Sequence, residues 1–194
     1  MAASVCLALL ASVTVLLMSS GALPATTYAI MALAFLGAFF YSTPPVRLEA
    51  SGYGELTTSV LVGLLVPGFS FALQAGELHR LIAMVGFPLV AAHLAMLIAF
   101  TLPDFATDQK FEKRTLLVRM GWQTGMFLHN VMILTAYVLL LGARAFDFPT
   151  FATVAGVLSL PVGLFQVWQM NRIANGAPVH WNVLTIGAVS QFIL

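Results

Sequence analysis

Asp104 and Asp108 stand four residues apart, with Lys113 and Arg114 just beyond them, in the segment running from Thr101 to Gly121. If the helix entering this segment runs on past Pro103, the spacing puts both carboxylates on one face, where they can share a divalent cation. Magnesium suits such a pair, because it takes oxygen ligands, keeps several waters and is held by one or two carboxylates together with substrate phosphate oxygens. Lys113 and Arg114, with Lys110 and Arg119 further off, could then meet the remaining charge of a diphosphate. The same residues also suit a plainer role, solvating a helix end and pairing with one another, and Asp-x-x-x-Asp alone does not separate the two.

A second polar segment lies earlier, Tyr41-Ser42-Thr43-Pro44-Pro45-Val46-Arg47-Leu48, followed by Gly52-Tyr53-Gly54-Glu55 at the mouth of the next apolar run. The two prolines predict an extended exit from a helix, which keeps Arg47 near headgroup level as an anchored cation. Tyr41 fits an interfacial aromatic belt as well as a binding role, and Gly52 and Gly54 suit a tight turn.

The elements that must position these residues follow from composition. Of the 194 residues, 60% are apolar and 8% charged, against about a quarter charged in soluble domains. The bilayer is the natural solvent for such a surface. The net charge of +1 excludes the basic stripe that nucleic acid requires. Cys6 has no partner in the chain, so a disulfide framework and a cysteine zinc site are both excluded. The N-terminus lacks the basic region of a secretory signal.

Crossing a bilayer takes about 20 apolar residues, with backbone groups satisfied inside each span. Seven runs qualify as helices, at 3–20, 27–41, 56–75, 81–102, 120–142, 150–170 and 180–194. The fold class is therefore all-α, a multi-span transmembrane bundle forming a single domain over 1–194. Numbering the connections alternately gives one side Arg47, Lys110, Lys113, Arg114, Arg119 and Arg172, and the other only Arg80 and Arg144. The positive-inside rule makes the first side cytoplasmic, so both polar segments meet at that face.

In this order, and one out-and-back pair of spans apart, the two segments resemble the UbiA superfamily of intramembrane prenyltransferases. The ending Thr115-Leu-Leu-Val-Arg-Met-Gly121 is closest to the menaquinone branch, whose members prenylate a dihydroxynaphthoate. The resemblance covers nearly the whole chain and implies that its helices correspond to helices three to nine of the family bundle, in the cytoplasmic membrane of a prokaryote. It implies metal-holding roles for Asp104 and Asp108, and a diphosphate-side role for Lys113, with Arg47, Arg114 and Ser42 beside the same group. Tyr41 would sit near the allylic carbon, and these with Lys113 and the aspartates would form the catalytic set. The implied cofactor is Mg²⁺. The implied partners are a polyprenyl diphosphate, a dihydroxynaphthoate-like or hydroxybenzoate-like aromatic acceptor and the lipid bilayer. The reaction would be electrophilic aromatic prenylation in quinone biosynthesis.

The chain also departs from the family pattern. The first aspartate motif, Asn-Asp-x-x-x-Asp, does not occur, and the first charged residue is Arg47. Thr101 replaces the Asn that many members carry before the second motif, and Glu112 replaces the usual Gly before the Lys. These departures read as N-terminal truncation, with Met1 an internal methionine and the chain inactive by itself. A silent remnant or partner-dependent half-enzyme is the alternative. A transporter is disfavoured because almost every charge lies at a span end, and a CDP-alcohol phosphotransferase because its Asp-Gly-x-x-Ala-Arg opening is missing. His79, His93, His129 and His180 lack metal-ligand spacing and are expected to make helix-to-helix hydrogen bonds. Gln123, His129 and Asn130 suit either such bonds or an acceptor pocket. Asn171, Arg172 and Asn175 suit caps.

Overall fold

Backbone amides in hydrocarbon have no water to bond, so an apolar chain of this kind has to satisfy them inside helices. The computed structural model, which describes residues 2–21 and 23–194, is helical accordingly, with no strand among the described residues. The helices are α1 Ala2–Ser20, α2 Ala25–Ser42, α3 Gly54–Val60, α4 Val66–Ala75, α5 Arg80–Thr101, the short α6 Phe105–Lys110 and α7 Leu116–Met120, α8 Trp122–Gly142, α9 Thr150–Val157, α10 Leu160–Ala174 and α11 Trp181–Ile193. Each of the seven expected runs falls on helix, with ends shifted by a few residues. Among the described residues, five stretches are long and apolar enough to cross a membrane: Ala25–Ser42, Gly54–Ala75, Arg80–Thr101, Trp122–Phe146 and Thr150–Ala174. The apolar stretches Ala8–Ser20 and Trp181–Ile193 are shorter.

The Gly54–Ala75 span is not uniform. A π-helical turn, Leu61–Leu65, joins α3 to α4. Pro67 follows directly, and a proline has no N–H to return to the carbonyl four residues back, which loosens the ladder at that point. Opposite this turn α5 carries Gly86 and Pro88, and the two helices come close enough that a Cβ on Gly63 would lie 2.7 Å from the backbone nitrogen of Val90.

Packing is concentrated where α5 meets α8, α10 and α11. Leu94, Ile98, Leu102, Leu117, Met126, Met170 and Leu184 form one buried cluster there, and Ala91, Ala92 and Ala136 form another. Small residues on α5 let neighbouring backbones approach, which is how helices associate in a solvent as apolar as their own side chains. By contrast α2 buries only Thr27, and Leu33, Phe35, Leu36 and Phe39 are exposed, as suits lipid.

Polar bonds stitch the bundle at several depths. Ser59 Oγ and His93 Nδ1 lie 3.1 Å apart, Tyr137 Oη and Ser159 Oγ 2.8 Å, and Gln166 Nε2 donates to the Leu184 carbonyl at 3.2 Å. His129 Nδ1 is 3.0 Å from Asn130 Oδ1, and Asn130 Nδ2 donates to Asn171 Oδ1 at 2.8 Å. Interhelical bonds of this kind contribute about 1 kcal/mol each. Of the four histidines only His93 makes the expected bond between helices among the described residues; His129 bonds its neighbour Asn130 on the same helix, His79 caps α5 by accepting from the Leu81 amide at 3.2 Å, and His180 stands exposed before α11.

Candidate active site

The helix carrying the polar segment does not run on past Pro103. α5 ends at Thr101, and the amide of Asp104 folds back onto the Thr101 carbonyl at 3.2 Å. Pro103 has no amide to extend the α5 ladder, so the chain stops and restarts as α6. The helical spacing of the two aspartates survives on this new helix, because the Asp108 amide donates to the Asp104 carbonyl at 2.8 Å. Asp104 is exposed and Asp108 buried.

From Asp108 the chain turns sharply. The Lys113 amide donates to the Asp108 carbonyl at 2.9 Å, and Lys113 Nζ lies 3.6 Å from Asp108 Oδ1. Glu112 takes φ 54, a left-handed conformation that favours glycine. Thr115 then caps α7, its hydroxyl accepting from the Val118 amide at 3.3 Å.

The earlier segment arrives at the same place by a different route from the extended exit its prolines predict. α2 stops at Ser42 and Thr43 is extended, but the chain then folds back, with the Arg47 amide donating to the Thr43 carbonyl at 3.1 Å. Arg47 itself sits at φ 42 and pairs with Glu49 at 3.7 Å.

Two cross-links join these segments. Both carboxylate oxygens of Glu55, buried in the first turn of α3, accept from the Leu116 amide at 3.2 Å. Arg119 Nη1 donates to the Ser51 carbonyl at 3.0 Å, and its guanidinium lies 4.6 Å from the centre of the Tyr53 ring. Gly52, at φ 80, passes directly under the Arg119 side chain, and a Cβ there would collide with Arg119 Cδ. Replacing Gly52 by Ala should therefore destabilise the chain by about 1–2 kcal/mol through the left-handed backbone alone. A thermal melt in detergent reads this, and an Arg119→Ala background should remove only the added clash.

Between the two segments lies a cavity of about 230 Å³ lined by Tyr41, Glu49, Gly54, Glu55, Thr58, Leu97, Thr101, Lys113 and Thr115. Of the residues singled out in the sequence, Tyr41 and Lys113 thus face one cavity, and Asp108 is tied to Lys113. Ser42, Arg47 and Arg114 are exposed and do not line it. Asp104 is one helical turn from Asp108 on the exposed side of α6. Arg119 is engaged by Ser51 and Tyr53, and Lys110 lies 5.8 Å from the Phe111 ring centre. Glu55 and Glu49 were missed as site residues. The signal was present for Glu55: it is the only charged residue between Glu49 and Glu77, at the mouth of a membrane span.

The donor chemistry of the aspartate pair fits magnesium. Two carboxylates one turn apart, one of them open to solvent, can supply oxygen ligands alongside waters and phosphate oxygens. Among the described residues no group of three or more His, Cys, Asp or Glu side chains gathers around one point.

A helical bundle built for the bilayer, with carboxylates, a lysine and a tyrosine gathered around a cavity at one end, defines an integral membrane protein with a polar site at its face. The chain matches the model of the UbiA prenyltransferase family over residues 1–184 and belongs to that family. The family reaction is transfer of a prenyl group from its diphosphate to an aromatic acceptor. Searches of curated proteins and of solved structures found no match.

Proposed function

We propose that this chain carries the second-motif side of a prenyl diphosphate site, serving transfer of a polyprenyl group to a dihydroxynaphthoate-like or hydroxybenzoate-like ring in quinone biosynthesis of the menaquinone type. The observation that carries this reading is Lys113, which lines the Tyr41 cavity while its ammonium lies 3.6 Å from Asp108. A cation, a carboxylate and an aromatic face within reach of one another are what an ionising allylic diphosphate needs.

Asp104 and Asp108 are the residues that would hold Mg²⁺, which when bound supplies positive charge to the leaving diphosphate. Lys113 takes up the charge that builds on the diphosphate oxygen as the allylic C–O bond breaks. Tyr41 offers its ring face to the allylic cation. The diphosphate leaves with the electron pair of the C–O bond, and the acceptor ring then forms the new C–C bond and releases its ring proton to solvent. Arg47 and Arg114, exposed at the same face, and Ser42 at the end of α2 draw the diphosphate toward the site by charge and hydrogen bonding. The excess of Lys and Arg on these connections supports a cytoplasmic orientation for them.

No charge precedes Arg47, so nothing in the N-terminal stretch can oppose Asp104 and Asp108 across a diphosphate. The chain in lipid nanodiscs should therefore retain radiolabelled geranyl diphosphate in a magnesium-dependent way, yet form no prenylated acceptor. Adding two helices joined to an Asn-Asp-x-x-x-Asp loop should restore product. Failure to retain the diphosphate with magnesium would sink the reading.

A further inference from the structure

We infer that Glu55 is a positioning residue: by holding the Leu116 amide it sets where Lys113 stands at the cavity mouth, and so how firmly a diphosphate is held. The inference rests on the reading of Lys113 as the diphosphate partner.

A buried carboxylate is unfavourable unless something compensates it. Among the described residues no cation lies within ion-pair distance of Glu55. What its two oxygens meet is one N–H, that of Leu116, both at 3.2 Å. Leu116 is the first residue of α7, where backbone amides have no partner within their own helix. Glu55 therefore satisfies a donor that would otherwise be orphaned.

The position of this bond gives it a consequence for Lys113. Upstream, the turn is anchored at Asp108 by the Lys113 amide. Downstream, the Thr115 amide donates to the Lys113 carbonyl at 3.0 Å, and the next residue is Leu116. Lys113 is thus suspended between one anchor on α6 and one on α3. The α3 anchor is rigid, since a Cβ on Gly54 would already lie 2.9 Å from the Glu49 Cα and Ser59 on the following turn is bonded to His93. Losing the Glu55 bond should loosen the turn locally, because Leu117 stays in the core and Arg119 still holds Ser51.

Hydrogen exchange of the chain in nanodiscs, paired with geranyl diphosphate binding in magnesium, tests this. Glu55→Ala should raise exchange over residues 111–118 about tenfold with α5 and α8 still protected, and should weaken binding about tenfold. Glu55→Gln, which keeps an acceptor oxygen, should stay within about twofold of the parent in both readouts. Lys113→Ala should lose binding without raising exchange at Leu116. If Glu55→Ala unfolds the bundle, Glu55→Asp, which withdraws the oxygens by one methylene, takes its place with the same expected loosening. Unchanged exchange, loosened exchange with unchanged binding, or a Gln variant that behaves as Ala each overturns the inference. If the parent chain binds no diphosphate, the Lys113 reading falls and the link to binding with it, while exchange still decides whether Glu55 holds the turn.

Discussion

Changing Asp108 to Ala should weaken magnesium-dependent retention of geranyl diphosphate by about a hundredfold. The residue holds two interactions at once. It is one of the two carboxylates that would hold the metal in the proposed site, and it is the ion-pair partner of Lys113 at 3.6 Å. The Lys113 contact is an ion pair with a half-exposed lysine and contributes at most about 1 kcal/mol, so most of the loss comes from the metal-side carboxylate, at about 1.5–3 kcal/mol where about 1.4 kcal/mol is a factor of ten. Asp104→Ala should cost about tenfold, because Asp104 is exposed and, among the described residues, has no cation within ion-pair distance. Lys110→Met should leave binding within about twofold, since Lys110 sits against Phe111 away from the cavity and exposed charges contribute little. Filter retention with and without EDTA separates the metal-dependent part. Retention by Asp108→Ala within about threefold of the parent would remove Asp108 from the site, since that is under 1.4 kcal/mol.

The helices were legible because the bilayer leaves the backbone little choice. An apolar run of sufficient length must be helical, and the scarcity of charge made the runs easy to delimit. The site was legible in part. Asp104, Asp108, Lys113 and Tyr41 stand out as polar residues in ordered segments, and their grouping follows from two loops sharing a face. What the sequence hid were interactions between segments far apart in the chain. Glu55 and Leu116 are separated by 61 residues, and Arg119 and Ser51 by 68. Neither pair obeys a local spacing rule, and a backbone amide such as that of Leu116 carries no mark in the sequence at all. Whether the helix continues past Pro103 stays open in the sequence for a related reason. Proline forbids one hydrogen bond, but whether the chain kinks or restarts depends on what the next residues pack against, here Leu102 and Phe105 against the core formed by α8, α10 and α11. Ser42, Arg47 and Arg114 join the site through the family resemblance, whereas all three are exposed and outside the cavity lining.

Replacing Gly63 by Leu should prevent the bundle from reaching its folded state, and even Ala there should destabilise it by about 3 kcal/mol. Gly63 lies in the π-helical turn, and a Cβ on it would sit 2.7 Å from the Val90 nitrogen, 2.9 Å from the Val90 Cα and 3.0 Å from the Leu89 carbonyl carbon. These are backbone atoms of α5, which no rotamer change can move aside, so the whole helix must shift. Gly86 on α5 meets the same turn through Leu64 and the Gly63 carbonyl, leaving no slack on the other side of the crossing. The site depends on this contact because α3 ends the Glu55 side of the cavity and α5 delivers Leu97, Thr101 and then the aspartates. A displaced crossing therefore separates the two halves that Glu55 joins, and diphosphate retention should fall together with stability. Gly142→Ala is the matched control: a Cβ there meets nothing within 4 Å, and the residue has helical φ −61, so unfolding should be unchanged. Unfolding in mixed detergent micelles, followed by circular dichroism, compares the three. A Gly63→Leu chain that unfolds at the same denaturant fraction as Gly142→Ala would mean that this crossing does not hold the bundle together.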